Sequence, residues 1–136
     1  MDWTIRYRII KGICQGLHYL QEQRINHLDI KPANVLLDIN MEPKITDFGL
    51  SRCFDEGQTR TKTETICGTM GYLAPEFVDG GEISYKSDIY SLGATILKLS
   101  TGCSTTGNDY VRVRYLIMRF PLYTPVITLL IQHLCK

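Results

Sequence analysis

The first 23 residues carry the apolar spacing of an amphipathic helix. Isoleucine and leucine recur at intervals of three and four, which places them on one stripe of an α-helix. The stripe consists of Ile5, Ile9, Ile13, Leu17 and Leu20. We therefore predict a helix over residues 3–23 whose stripe packs into the core. Gly12 and Gly16 lower its intrinsic stability but allow a neighbouring element to approach closely.

The next stretch alternates short extended pieces with turns. Ile25 opens a brief extended segment, and the loop after it contains Pro32, which disfavours helix at the preceding residue. Residues 35–37 and 43–46 are short apolar runs on either side of a turn at residues 38–40. We expect these two runs to pair as a β-hairpin.

Residues 51–70 are polar, rich in threonine and without a sustained period, which predicts a long loop. A short helical piece is expected to start at residues 74–76, followed by a turn at 79–81. A second helix is predicted over about residues 88–100, capped by Ser84 or Ser87 and ended by residues 101–102. Its apolar face comprises Ile89, Leu92, Ile96, Leu97 and Leu99. The predicted fold is mainly α with short β hairpins, an α+β arrangement.

Composition narrows the class of protein. The chain has 136 residues, the size of one domain, and its 44% hydrophobic content is ordinary for a globular protein. A formal net charge of +1 argues against a broadly basic nucleic-acid binder, so no nucleic-acid partner is expected. The five cysteines form no C-x-x-C pair, which argues against a zinc site or a disulfide framework and favours a reducing, cytosolic-type compartment. The N-terminus lacks the apolar core of a secretory signal.

The charge balance shifts along the chain. Residues 1–109 carry 11 basic and 14 acidic side chains, whereas residues 110–136 carry 4 basic and no acidic ones. This shift predicts a boundary near residue 105 between a domain at 1–103 and an apolar, basic tail at 104–136. Arg119, Pro121 and Pro125 interrupt the apolar tail, so we do not expect it to form a transmembrane helix.

Four polar residues mark the candidate chemistry. Asp29 and Asp47 lie at the ends of short apolar segments, and Lys31 and Asn34 follow Asp29 closely. Carboxylate and amide oxygens are ligands that Mg²⁺ prefers, and lysine can pair with a phosphate oxygen. A carboxylate beside a hydroxyl can orient it and accept its proton. This set predicts magnesium and phosphate chemistry.

Four short motifs, which follow one another along the chain, resemble those of a known protein family. They are H-L-D-I-K-P-A-N at 27–34, D-F-G at 47–49, A-P-E at 74–76 and D-I-Y-S-L-G at 88–93. Over residues 3–103 the chain resembles the large, C-terminal lobe of a protein kinase. The wording of the motifs is similar to that of plant receptor-like kinases of the serine/threonine type.

The resemblance implies roles for individual residues. Asp29 resembles the carboxylate that receives the substrate hydroxyl, and Lys31 the lysine that contacts the transferred phosphate. Asn34 and Asp47 resemble the Mg²⁺ ligands, so ATP and Mg²⁺ are the implied cofactors and a protein with serine or threonine hydroxyls is the implied substrate. We call residues 27–34 the catalytic loop.

The resemblance also implies roles for residues further along the chain. Residues 47–76 resemble an activation segment, in which Thr61, Thr63 and Thr65 are candidate phosphorylation sites and Thr69 lies beside the catalytic loop. Asp88 resembles a buried aspartate that binds catalytic-loop amides, and Glu76 a residue that pairs with a later arginine.

The chain departs from the family pattern in several places. Leu28 stands where an arginine is usual, and no glycine-rich loop, strand lysine of the V-A-I-K type or partner glutamate precedes residue 3. After Gly102 the family's helices are not recognisable, and the arginines there lack a matching context. Those arginines are Arg112, Arg114 and Arg119.

These departures from the family pattern allow more than one interpretation of the function. The first is a serine/threonine protein kinase, present as a fragment that is inactive alone. The alternatives are an inactive remnant that serves as a binding or regulatory module, or a non-functional truncated product. The implied location is the cytoplasm, with any membrane contact made through a receptor portion in the full-length form.

We predict that phosphorylation of Thr61, Thr63 or Thr65 does not switch this protein through residue 28, because leucine cannot form a charge-assisted bond with a phosphate. The measurement compares phosphoryl transfer by a full kinase domain that carries Leu28, with and without phosphomimetic residues at these threonines. A strong rise in activity from the phosphomimetic residues would contradict the prediction.

Overall fold

The structure is a computed structural model and describes residues 1–102. This part of the chain contains three helices and three small antiparallel strand pairs. The predicted tail at 104–136, with its three arginines, lies outside these residues. In chain order the elements are α1 (Trp3–Glu22), β1 (Ile25–Asn26), a 3₁₀ turn (Pro32–Asn34), β2 (Val35–Leu37), β3 (Pro43–Ile45), β4 (Arg52–Cys53), β5 (Arg60–Lys62), α2 (Pro75–Gly80), β6 (Glu82–Ser84) and α3 (Tyr85–Thr101). The predicted mainly α fold with short β pairs is confirmed.

Helix α1 confirms the first predicted helix and ends one residue earlier, at Glu22. Its apolar stripe packs against α3 and against Ile30 of the catalytic loop, so the main core cluster lies directly behind that loop. The buried members of the cluster are Ile9, Ile10, Ile13, Cys14, Leu17, Leu20, Ile30, Ile89 and Leu92.

The predicted hairpin is confirmed as β2 and β3, with Val35 opposite Ile45 and Leu37 opposite Pro43. Two glycines of α1 face this hairpin. A Cβ atom built on Gly12 would overlap the ring of Pro43, and one on Gly16 would lie 3.0 Å from Cδ1 of Ile45. The glycines therefore let the helix lie directly on β3, which fixes the hairpin that follows the catalytic loop.

The prediction of an unstructured loop at residues 51–70 is wrong in two places, because β4 and β5 lie within it. Strand β4 pairs with β1, and β5 pairs with β6, which the sequence did not reveal. Each pair joins segments of two or three residues that are at least 20 positions apart in the chain. Such short partners leave neither an alternating pattern nor a hairpin turn in the sequence.

Helix α3 begins at Tyr85, three residues before the predicted start. Ser84 is the N-cap and Ser87 completes a capping box, so both predicted serines take part in the cap. The helix ends at Thr101, and its C-cap, Gly102, has a left-handed φ of 68°. The predicted turn at 79–81 is only partly correct, because Asp79 and Gly80 belong to α2 and Gly81 ends that helix.

A second apolar cluster lies beneath the activation segment. It joins the catalytic loop to α2 and β6 through Leu28, Phe54, Leu73, Ala74, Phe77 and Ile83. Within residues 1–102, the Cys14 side chain is buried, and those of Cys53 and Cys67 are exposed. No helix in that range combines the length and the apolar character needed to cross a bilayer.

Gly12→Ala tests the contact between α1 and the hairpin. Alanine favours helix by about 1 kcal/mol over glycine, but the overlap with Pro43 costs about 1–3 kcal/mol. The difference between these two contributions is a net loss of about 0–2 kcal/mol in the free energy of unfolding, and we expect about 1 kcal/mol in urea titration. Gly80→Ala is the matched control, because a Cβ there meets no atom within 4 Å and should cost nothing. Equal stability of the two variants would rule out the close contact.

Candidate active site

The catalytic loop is held from behind by a carboxylate on α3. Asp88 is fully buried, and its two oxygens accept hydrogen bonds from the backbone amides of His27 (2.7 Å) and Leu28 (2.8 Å). Burial raises the pKa of Asp88 to about 6, because loss of water outweighs the stabilising amide hydrogen bonds and the nearby His27. The first turn of α3 therefore fixes the backbone direction at the start of the loop.

Leu28 has a left-handed backbone conformation, with φ of 65°. This conformation costs a residue other than glycine on the order of 1–3 kcal/mol. The hydrogen bond from the Leu28 amide to Asp88 offsets this conformational cost. Burial of the leucine side chain in the second apolar cluster offsets it further. Leucine at this position is thus a core residue that anchors the loop, whereas the usual arginine would bring a charge.

Asp29 lies at the centre of a hydrogen-bonded group of polar side chains. Its Oδ2 accepts bonds from Lys31 Nζ (2.8 Å) and Asn34 Nδ2 (2.9 Å). Its Oδ1 accepts a bond from Thr69 Oγ1 (2.8 Å), which itself accepts one from Lys31 Nζ (2.6 Å). The structure therefore joins four residues that the sequence named, although Thr69 is 40 positions from Asp29.

The charge state of Asp29 follows from these contacts. Burial raises the pKa of the carboxyl, but hydrogen bonds from Lys31, Thr69 and Asn34, together with the charge of Lys31, outweigh burial and leave the pKa below its usual value. The carboxylate is consequently ionised at neutral pH and available to accept a proton.

Sequence reasoning gave no role to His27, which the structure places in the fully buried part of the loop. Its Nδ1 accepts a bond from the Asp29 amide (3.2 Å), and its Nε2 lies 2.9 Å from the Thr46 carbonyl oxygen. These partners fit a neutral ring with the proton on Nε2. The ring also packs edge-on against Phe48 at 4.9 Å, so His27 ties the catalytic loop to the D-F-G motif.

Asn34 and Asp47 are the candidate metal ligands. The Asn34 amide group donates to the Asp29 carbonyl (2.9 Å) as well as to its carboxylate, which fixes the orientation of the side chain. Thr46 bonds the Asn34 carbonyl through its amide (2.9 Å) and its hydroxyl (3.1 Å), and Asp47 follows directly. Asp47 is exposed and has a left-handed φ of 61°.

These two side chains fit magnesium better than a transition metal. Mg²⁺ is commonly held by one or two oxygen ligands from the protein, with water and phosphate oxygens completing the shell. Within residues 1–102 no group of three or more His, Cys, Asp or Glu side chains could form a closed metal cage. Asn34 and Asp47 would hold Mg²⁺ through their side-chain oxygens.

The remaining predicted residues lie away from Asp29. Thr61 is half-buried in β5, the Thr63 hydroxyl lies 3.4 Å from Nη2 of Arg52, and Thr65 is exposed. Glu76 is an exposed residue in the first turn of α2. Its later arginine partner, implied by the resemblance, falls outside residues 1–102.

Asp88→Asn tests the buried carboxylate through the pH dependence of stability. Because folding raises the pKa of Asp88 from 3.8 to about 6, the folded state binds more protons than the unfolded state in that window. The stability of the unaltered protein should therefore fall as pH rises from about 4 to 6. Asp29, whose pKa is lowered, acts in the opposite sense and only below about pH 4.

The measurement is urea unfolding of both proteins between pH 4 and 7.5. The free energy of unfolding of the unaltered protein, minus that of Asp88→Asn, should fall on the order of 2–3 kcal/mol from pH 4 to 6.5 and stay constant above. A difference that does not vary with pH would show that Asp88 does not titrate in this window.

The sequence of the chain is similar to that of known protein kinases. The family model described as "Protein kinase domain" matches residues 2–121. Among curated proteins of Arabidopsis thaliana, the chain is 48% identical over 105 residues to cysteine-rich receptor-like protein kinase 36. The aligned residues are 75% of this chain and 16% of that protein. It is 49% identical over 107 residues to cysteine-rich receptor-like protein kinase 29, with coverage of 75% and 16%.

A G-type lectin S-receptor-like serine/threonine-protein kinase of the same plant is 48% identical over 105 residues, which are 75% of this chain and 13% of that protein. The chain thus spans about a sixth or less of the length of these relatives. Residues 2–121, which the family model matches, include the catalytic loop, Asp47 and Asp88. The chain belongs to the protein kinase family, and it is similar to part of the plant receptor-like kinases named above.

Proposed function

We propose that this chain forms the large-lobe part of a serine/threonine protein kinase and transfers the γ-phosphoryl group of ATP to protein hydroxyls when a small lobe completes the nucleotide site. The observation that carries the proposal is the hydrogen-bonded group of Asp29, Lys31, Asn34 and Thr69. It supports a site in which a substrate hydroxyl, a metal-bound phosphate and a base lie within reach of one another.

Asp29 acts as the base in this proposal. Its pKa is lowered, so at neutral pH the carboxylate is ionised and can accept the proton of a serine or threonine hydroxyl as the oxygen attacks phosphorus. The bond from phosphorus to the leaving diphosphate oxygen breaks, and the proton passes from Asp29 to solvent. Thr69, which donates to Oδ1, shifts or is displaced as the substrate hydroxyl takes that position.

Lys31 and the metal ligands supply charge. Lys31 Nζ lies 2.8 Å from Asp29 and can turn toward a transferred phosphate as a point charge. Asn34 and Asp47 would hold Mg²⁺, which neutralises the phosphate oxygens when bound. Positioning and electrostatics supply nearly all of phosphoryl-transfer catalysis, so this group requires a complete nucleotide clamp to act.

The same proposal gives a location and partners. The named relatives are receptor-like protein kinases. We infer that this chain acts on the cytoplasmic side of a membrane, as part of a longer protein whose substrate is another protein. The D-I-K-P-A-N form of the catalytic loop, which contains Lys31, resembles the serine/threonine type, so we infer that serine and threonine are the acceptors.

The test measures phosphoryl transfer from ATP and Mg²⁺ to a generic protein substrate. The chain is assayed as given and after fusion to the small lobe of cysteine-rich receptor-like protein kinase 36. We expect transfer by the fusion alone, because the chain by itself supplies one side of the clamp.

Within the fusion, Asp29→Asn should lower kcat on the order of 10²–10⁴-fold, since it removes the base. Asp47→Asn should weaken Mg²⁺-dependent nucleotide binding and lower transfer as well. Asp55→Asn, an exposed residue with the same change in charge, is the matched control and should retain activity. Activity of the Asp29 variant within a few-fold of the control would overturn the proposal.

A further inference from the structure

The middle of the activation segment is bound to the chain that follows α2 by a short β-ladder. Strand β5 pairs antiparallel with β6, with Arg60 opposite Ser84, Thr61 opposite Ile83 and Lys62 opposite Glu82. Beyond the ladder, the Thr63 amide donates to the Gly81 carbonyl at 2.9 Å. We call this pairing of residues 60–63 with residues 81–84 the strap.

Gly81 closes the strap at one end, and no other residue fits there. It is buried and left-handed, with φ of 63°. A Cβ atom at this position would clash with the Thr63 carbonyl oxygen, because the two atoms would be much closer than their van der Waals contact distance. Both the backbone conformation and the close approach therefore require glycine. The neighbouring Gly80 has neither property, because a Cβ there meets no atom within 4 Å.

The strap is anchored to the catalytic loop rather than to the surface alone. Asn26, the residue before His27, donates from Nδ2 to the Ser84 carbonyl at 2.6 Å. Ile83 is fully buried in the same apolar cluster as Leu28. The central residue of β6 thus packs on the residue that replaces the family's phosphate-binding arginine.

Thr63, the last strap residue in the activation segment, lies six residues before Thr69, whose hydroxyl donates to the Asp29 carboxylate. The intervening chain passes Gly68, where a Cβ would overlap the side chain of Leu73 and lie 3.3 Å from the Leu28 carbonyl oxygen. A segment fixed at residue 63 and tightly packed at residue 68 has little freedom to move Thr69.

We propose that the strap, closed at Gly81, holds the activation segment in register with the catalytic loop without any phosphate, and that Gly81 is its positioning residue. Backbone hydrogen bonds and the burial of Ile83 do the work that a phosphate–arginine pair cannot do beside Leu28. Opening of the strap frees Thr69 from Asp29. The inference concerns the conformation of the segment and does not depend on whether the chain transfers phosphate.

The test is hydrogen exchange of the full chain, made in bacteria and shown by intact mass to carry no phosphate. In the unaltered protein, the amides of Thr61 and Thr63, which face β6 in the antiparallel ladder, should exchange at least about tenfold more slowly than in a free peptide. Exchange at the free-peptide rate would overturn the proposal.

Gly81→Ala should raise exchange at the amides of Thr61, Thr63 and Ile83 at least about tenfold, whereas Gly80→Ala should leave it within about twofold. The Tyr72 amide, which bonds the Thr69 carbonyl at 3.1 Å, should lose protection together with the strap in Gly81→Ala. If Tyr72 stays protected while the strap opens, Gly81 does not position Thr69.

Two further comparisons separate the strap from general unfolding. The amides of residues 13–17 in the buried part of α1 should exchange at the same rate in all variants. If these amides lost protection in Gly81→Ala, Gly81 would support the core instead of the strap. Gly81→Asn tolerates the left-handed conformation but keeps a Cβ, so it should open the strap as alanine does. Exchange at the wild-type rate in Gly81→Asn would overturn the role of the close approach to Thr63.

Discussion

The two hydrogen bonds from the catalytic-loop amides to the Asp88 carboxylate are the interaction on which the remaining geometry depends. They fix the peptide planes at His27 and Leu28 and thereby hold Leu28 in a conformation that leucine otherwise avoids. Asp29 follows immediately, so the direction of its side chain is set by a residue on another helix. The cost is a carboxylate in a dry site, where the raised pKa reflects lost hydration.

Around that interaction, His27 and Thr69 each connect the catalytic loop to a second element. His27 joins the Asp29 amide to the residue before Asp47, and Thr69 joins the activation segment to the Asp29 carboxylate. Leu28 replaces a charged contact by burial with Phe77 and Ile83. The segment and the loop are consequently coupled through packing and backbone bonds, which respond little to ionic strength.

The features that sequence analysis predicted well are those with a local cause. The stripe of α1, the hairpin of β2 and β3 and the Ser84 cap depend on neighbours within a few positions, and each leaves a periodic or capping pattern. Strands β4, β5 and β6 depend on distant backbone partners, so the sequence carries no signal for them. The motifs named Asp29, Lys31 and Asn34, but the contact of Asp29 with Thr69 was expected only through the family resemblance. The left-handed Leu28 was not expected, because leucine gives no sign of it.

The position of Asp88 also bears on how the chain acquires its structure. The carboxylate and the His27 amide are 61 residues apart, so their bond closes a long loop and forms only when the first turn of α3 lies against the catalytic loop. Helix α1 and the β2–β3 hairpin rely on contacts close in sequence and can form early. The catalytic loop therefore reaches its final backbone shape late in folding, and a nascent chain that ends before residue 88 contains every residue around Asp29 without being able to orient them.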